Sequence, residues 1–388
     1  MSALPAVAEP GIAALWARLR PEARPVTGVE HEYEVRDSDG RVLDFRQVVD
    51  GLPLGRRLDP GDPHAARGPW GGVVTADGAE AEVVTPPVPV APGAPATAAA
   101  WARRGRALLT SALPGGTTLT GYSTHISVAV PDRLVRRTAE LVVAHFSPAL
   151  MFLMDRRTSP GLLVRPRPGR LEVCGEHVEG TALRHAVAVT IAAAGAAADP
   201  SAAVPPALRV RTQRSRQRFG TYVDRCAFGP DLYADGRAAR LRTHGRGRTT
   251  AGAHLAAVVD SLADRLVELL SAADFTSLRA VVAGDLPLPM EGRLPDDGVE
   301  PPLRPLDLGD RQAGPVRVTV VSATWWAYVV RLDSGGRSRW LTVPGAWAAD
   351  FFARLAEGDL DDVLAGLVAV TRSGSAAGGS RGPCSPSL

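Results

Sequence analysis

The sequence predicts an α+β fold: a mainly antiparallel sheet with flanking helices, followed by a small C-terminal β/α unit. Three observations carry this. Alternating strands near the N-terminus are joined by Asp-Gly turns, as in hairpins. Long runs of helical period lie between and after them. A Pro- and Asp-rich stretch, 287–315, then sets off a last block of strands and short helices.

In chain order, residues 11–20 have helical spacing and stop at Pro21. The segment VTGVEHEYEVRDSDGRVL reads as a strand, an Asp-Ser-Asp-Gly turn and a return strand. Residues 50–70 are rich in Pro, Gly and charge and read as a surface loop, and 72–85 form a second hairpin turning at Ala76-Asp77-Gly78. A Pro-rich stretch leads to a helix over 96–113 and then to the strand TGYSTHISVAV. Residues 132–155 are helical in period, RPRPGRLEVCG holds a short strand, and 181–198 is an Ala-rich buried helix. After an Arg-rich run comes an amphipathic helix over 250–272, with Leu255, Val259, Leu262, Leu266 and Leu269 on one side. Residues 316–343 give two or three strands, 346–356 and 359–370 two short helices, and the low-complexity tail is expected to be disordered. The expected division is a catalytic domain over 1–286, a linker over 287–315, a C-terminal domain over 316–372 and a tail over 373–388.

Composition excludes several mechanisms. All 44 basic residues of the 388 are Arg, and Lys is absent. Schiff-base and pyridoxal chemistry, P-loop NTPases and lysine-dependent kinases are therefore ruled out. An enzyme using ATP would have to handle phosphates with Arg and metal alone. A net charge of +3 points to neither nucleic acid nor an anionic membrane. The Arg run 209–218 and the segment Arg237–Arg248 could contact nucleic acid or phosphate, but Arg is the default cation of this chain and nucleic acid is not the expected partner. Cys174, Cys226 and Cys384 are too few and scattered for a disulfide framework or a CxxC metal site. With no secretory signal and no apolar run of the roughly 18 residues that a membrane span needs, the expected location is cytoplasmic.

The chemistry lies in the first 180 residues, on four short strands. Alternate residues of a strand share a face. In GVEHEYEV, Val29, His31, Tyr33 and Val35 share one face while Glu30, Glu32 and Glu34 share the other. Glu80 and Glu82 share a face of AEAEVV, His125 and Ser127 share a face of STHISVAV, and Glu172 sits between Leu171 and Val173. Each acid taken singly is an ordinary solvated side chain. If the four polar faces meet on one sheet, they form a cluster of carboxylates with one imidazole, a hard-oxygen set suited to Mg²⁺ or Mn²⁺ rather than zinc.

These segments resemble a known group. Gly28-Val29-Glu30-His31-Glu32-Tyr33 resembles the G-[hydrophobic]-E-x-E-[aromatic] opening strand of the glutamate–cysteine ligase-type carboxylate–amine ligases, which have a glutamine synthetase-like fold with a curved sheet. Glu82-Val83-Val84-Thr85-Pro86-Pro87 is similar to that family's E-x-x-T-P segment, Thr124-His125-Ile126-Ser127-Val128 to its HxH strand, and Arg170-Leu171-Glu172-Val173 to its late R/T-x-E-hydrophobic strand. Order and spacing agree over roughly residues 25–280. The first two segments also resemble the prokaryotic ubiquitin-like protein ligase and its relative the deamidase, for which this chain looks short. Two positions depart from the pattern: Ser127 stands where a second His is usual, and Cys174 where an Arg commonly follows the glutamate. Arg156, Arg157, Arg165 and Arg167 are candidates to compensate.

The resemblance implies ATP-driven amide formation through an acyl phosphate, with a glutamate-like acid and an amine as substrates. It implies that Glu30, Glu32, Glu82, His125 and Glu172 hold two or three Mg²⁺ or Mn²⁺ ions, with Glu80 a further ligand or the amine's proton acceptor. Glu30, Glu82 and Arg165 would carry the chemistry, and Arg156, Arg157, Arg167 and Arg170 would contact ATP or the substrate carboxylate. A second reading treats the C-terminal unit as a module docking a peptide or carrier protein, with the ligase site modified or inactive. A homo-oligomer is compatible with either.

Overall fold

The computed structural model describes residues 10–19, 25–68, 70–201, 208–244, 247–296, 298, 300–303, 305–324 and 327–369; the expected tail lies outside them. The chain divides into two compact units, residues 23–307 and residues 1–22 with 308–388. Helix α1 (Pro10–Arg18) thus belongs with the C-terminal residues, not at the head of the expected catalytic domain. The cause is local: the Trp16 ring packs 5.4 Å from that of Trp347, and Arg18 pairs with Asp362 at 2.6 Å.

The larger unit opens with β1 (Val26–Arg36), β2 (Val42–Leu43), β3 (Arg56–Arg57), β4 (Ala66–Arg67), β5 (Val73–Asp77), β6 (Glu80–Val84) and β7 (Val88–Pro89). Then follow α2 (Ala94–Ala112), β8 (Thr118–Ala129), α3 (Asp132–His145), α4 (Ser147–Met154), β9 (Gly161–Arg167), β10 (Arg170–Glu176) and α5 (Gly180–Ala198). Strands β11 (Ser215–Gln217) and β12 (Gly220–Asp224), helix α6 (Leu232–Asp235), hairpin β13 (Arg240–Arg242) and β14 (Arg248–Thr250), and helices α7 (Ala251–Ser261), α8 (Ala263–Leu269) and α9 (Ala272–Ala283) complete it.

Its α+β class is the expected one. Twelve strands form one sheet in the order β11-β12-β9-β10-β8-β1-β6-β5-β4-β3, with β2 and β7 also paired to β1, and the pairings are antiparallel. Val29, Tyr33, Val83, Ile126 and Val173 are completely buried on one face, where α2, α3 and α5 pack. Helix α5 is long and apolar enough to cross a membrane, which the sequence reading did not expect because Arg184 and His185 interrupt the run. With 83% of it buried in the protein, it is a core helix.

Three segments differ from the sequence reading. The helix expected over 132–155 is two, because Pro148 has no N–H to offer the Ala144 carbonyl, which accepts the Val210 amide instead at 3.2 Å. The helix expected over 250–272 is likewise divided, at Leu262. The first part of the stretch from 287 onward contacts the rest of the larger unit: Leu288 is fully buried, Thr181 Oγ1 donates to the Pro295 carbonyl at 2.7 Å, and Arg184 pairs with Asp296 at 3.1 Å.

Helix α2 approaches the sheet through Gly105, where an added Cβ would lie 2.4 Å from Val83 Cγ1 and 2.8 Å from the Trp70 ring. Gly to Ala within a helix ordinarily stabilises by up to about 1 kcal/mol. Here Gly105→Ala is expected to destabilise by about 1–3 kcal/mol through overpacking, a reversal of sign readable by urea unfolding at unchanged slope.

Asp155, at the end of α4, is fully buried; it accepts from the Tyr233 hydroxyl and from the Glu176 amide at 3.2 Å. Burial pushes its carboxyl from an ordinary value of 3.8 up to about 7. Between those values the unfolded chain has lost this proton and the folded chain keeps it. The contribution of Asp155 to stability is therefore greatest below about pH 4 and falls as pH rises to about 7, by on the order of 4 kcal/mol at about 1.4 kcal/mol per unit. Asp155→Asn is expected to flatten the fall in Tm across that window; an unchanged slope would assign it to other groups.

The smaller unit holds a four-stranded antiparallel sheet, β15 (Arg311–Ala313), β16 (Val316–Ala323), β17 (Ala327–Ser334) and β18 (Arg337–Pro344), followed by α10 (Gly345–Glu357) and α11 (Asp361–Ala369). Val318, Val320, Val330, Leu332, Phe351, Leu364 and Leu367 make its core.

Candidate active site

Strand register assembles the site on the face of the large sheet opposite the helices. Glu30 in β1 stands opposite His125 in β8, and Glu32 stands between Glu82 in β6 and Ser123 in β8. Across β8, Cys174 in β10 is opposite His125 and Glu172 is opposite Ser127; Arg165 in β9 is opposite Glu172. Partners in register point to the same side. Glu30, Glu32, Glu82, His125, Glu172 and Arg165 therefore share one surface, and Arg167 and Arg170 stand paired at its margin.

The surface holds three differently balanced groups. His125 Nδ1 lies 3.2 Å from Glu30, and its Nε2 lies 3.6 Å from Glu32. Burial alone would push the Glu30 carboxyl up, but the His125 hydrogen bond and the charges of His125, Arg170 and Arg165 hold it below the usual range. Burial likewise opposes the His125 cation, yet Glu30 and Glu32 raise its pKa, so the two make a charged pair. In the second group, the almost completely buried Glu172 is gripped by Arg165 at 2.6 Å and Arg167 at 3.0 Å. Beside it, burial and the Glu172 charge push the Cys174 thiol well up, so it is neutral at ordinary pH.

The third group is Glu32, Asp77 and Glu82, whose carboxylate oxygens lie within 4.8 Å of one another. Ser123 Oγ donates to Glu32 at 2.6 Å. Burial, partly offset by His125 and Ser123, raises the Glu32 carboxyl. Glu82 is pushed well above the usual range by burial and then by the charges of Glu30, Glu32, Asp77 and Glu172. Acids facing one another without an arginine between them repel, and a hard divalent cation is what such an oxygen set fits. The set holds no thiolate, so Mg²⁺ or Mn²⁺ suits it better than zinc. His125, Glu172 and Cys174 also converge, but arginines and Glu30 already engage them.

Not every expected residue reaches this surface. Glu80 is in register with Asp77, but its carboxylate turns back to accept the Ala79 amide at 3.0 Å. Arg156 lines a cavity of about 800 Å³ with His31, Tyr33 and His177, residues that include the opposite face of β1, and donates to the His177 carbonyl at 3.1 Å. Arg157 is exposed in the same turn, and its carbonyl accepts from Arg225. Both leave the end of α4 before the chain enters β9, so nearness in sequence to Arg165 gave no information on side. Asp77 was missed because the sequence places it in a turn; continuing the alternation Thr75, Asp77 along the hairpin would have found it.

No family model matches the chain, and no curated protein matches it. Among solved structures it is similar to the crystal structure of the complex between the prokaryotic ubiquitin-like protein Pup and its ligase PafA. Identity is 12%, the match covers 93% of this chain and 99% of that chain, and the TM-score is 0.39. Similarity at this level does not say what the chain does.

Proposed function

We propose that the chain is an ATP-dependent carboxylate–amine ligase that forms an amide through an acyl phosphate. The observation that carries the reading is the Glu32, Asp77 and Glu82 group, which no arginine pairs among the described residues, beside an arginine-held Glu172 on one face of the sheet. Glu32, Asp77 and Glu82 would hold Mg²⁺ or Mn²⁺, which when bound would neutralise charge on the nucleotide phosphates. Arg165 stays charged, because Cys174, Glu172 and Glu30 outweigh its burial, and is placed to hold an anionic oxygen. The Glu30–His125 pair fixes the floor between these two groups.

In this reaction the substrate carboxylate attacks the γ-phosphorus of ATP and ADP leaves; the amine then attacks the acyl carbon, loses a proton and expels phosphate. The similarity of four motifs to the glutamate–cysteine ligase type supports a glutamate-like acid, hence a γ-glutamyl product in a biosynthetic role in the cytoplasm. A peptide or carrier protein bearing the acid or the amine is the alternative substrate.

The test is ADP release from Mg-ATP with pooled amino acids or peptides. Release that needs an added acid and amine, and falls about 10²–10³-fold in Glu30→Ala, is expected. Metal-independent peptide binding by folded protein that releases no ADP would favour a binding module instead.

A further inference from the structure

Arginines distant in sequence meet near residues 227–230, which follow β12. Val210 bridges to Thr243, the Arg211 amide donates to the Arg242 carbonyl at 2.8 Å, and the His244 amide donates to the Arg209 carbonyl at 3.1 Å. The chain around 209–211 therefore lies against the β13–β14 hairpin. Within the hairpin, Arg240 and Arg242 share the outer face while Leu241 between them is fully buried, and Arg242 is in register with Arg248. Arg211, Arg240, Arg242 and Arg248 line a cavity of about 640 Å³ that has no acidic residue in its wall.

None of these four guanidinium groups has a carboxylate partner among the described residues. Elsewhere in the larger unit, Arg165, Arg184 and Arg225 are all paired with acids. Like charges directly opposite across a strand pair are destabilising, so the Arg242–Arg248 register is a cost that the fold leaves unrelieved. Guanidinium forks match phosphate oxygens two at a time. A single anion would leave most of the charge unmet, whereas a short chain of phosphates spans a cavity of this size. We propose that this cavity binds a small compound bearing two or three linked phosphate groups. It is distinct from the carboxylate surface, with which its lining shares no residue.

The test uses the full chain with EDTA, at about 0.15 M ionic strength, and inorganic tripolyphosphate as the probe, followed by calorimetry and thermal unfolding. Saturable one-site binding that weakens at least about tenfold in Arg242→Glu is expected, since the variant loses charge-assisted contacts and places a carboxylate against the phosphates. Ligand-free Arg242→Gln should unfold no lower than wild type and should no longer be stabilised by the probe. Glu82→Gln should bind it normally, which separates this site from the ligase reading. Equal affinity for citrate, tighter binding of a thymidine decanucleotide, an effect reproduced by sodium chloride, or affinity unchanged in Arg242→Glu would each overturn the proposal.

Discussion

Glu82→Gln is expected to raise the Tm of the metal-free protein by at least about 2 °C while lowering ADP release about 10²–10³-fold. The two effects have one origin. Without a cation, the half-buried Glu82 carboxyl meets the charges of Glu30, Glu32, Asp77 and Glu172, and the amide keeps its shape while removing the acid. The same change removes a hard oxygen anion from the set that would hold Mg²⁺. Wild type should therefore gain stability when Mg²⁺ replaces EDTA, and Glu82→Gln should gain much less. Calorimetric scans of both proteins in both buffers decide the matter. A variant that is less stable than wild type in EDTA, with activity falling only in proportion to unfolding, would make Glu82 an ordinary packing residue.

Arg165→Ala is expected to cost about 3 kcal/mol, because among the described residues it leaves the buried Glu172 carboxylate paired only with the more exposed Arg167. The double variant Arg165→Ala/Glu172→Gln should recover at least half of that loss, since it removes the charge that was stranded. Its activity should not recover. A cycle in urea yields the coupling between the two residues, and ADP release measured on the same proteins separates stability from chemistry. Full recovery of activity in the double variant would show that the pair only braces the sheet.

The polar surface was legible because the side-chain period of a strand is two: Glu30, Glu32, Glu82, His125 and Glu172 follow from alternation once their strands are neighbours. Alternation also places Arg165. It does not say which side of the sheet receives a loop residue, and so it gives no placement for Arg156 or Arg157, which lie between α4 and β9. Asp77 was hidden by its position beside a turn. The break before α4 had a visible cause in Pro148, whereas the division at Leu262 has no breaker residue to announce it. The packing of α1 with the C-terminal unit rests on a contact between Trp16 and Trp347, more than three hundred positions apart, which no local pattern encodes.

The two-sidedness of β1 has a consequence for variation. Val29, His31, Tyr33 and Val35 are buried against the helices, while Glu30 and Glu32 face the opposite surface. In a library of all single substitutions, parity of residue number should sort the outcomes: odd positions yield insoluble protein, and positions 30 and 32 yield soluble protein without activity. Selection for expression alone would let the second class accumulate unseen. A one-residue deletion inside the strand would exchange the two classes and be lost outright, whereas the turn at Asp37–Gly40 would absorb a change of length.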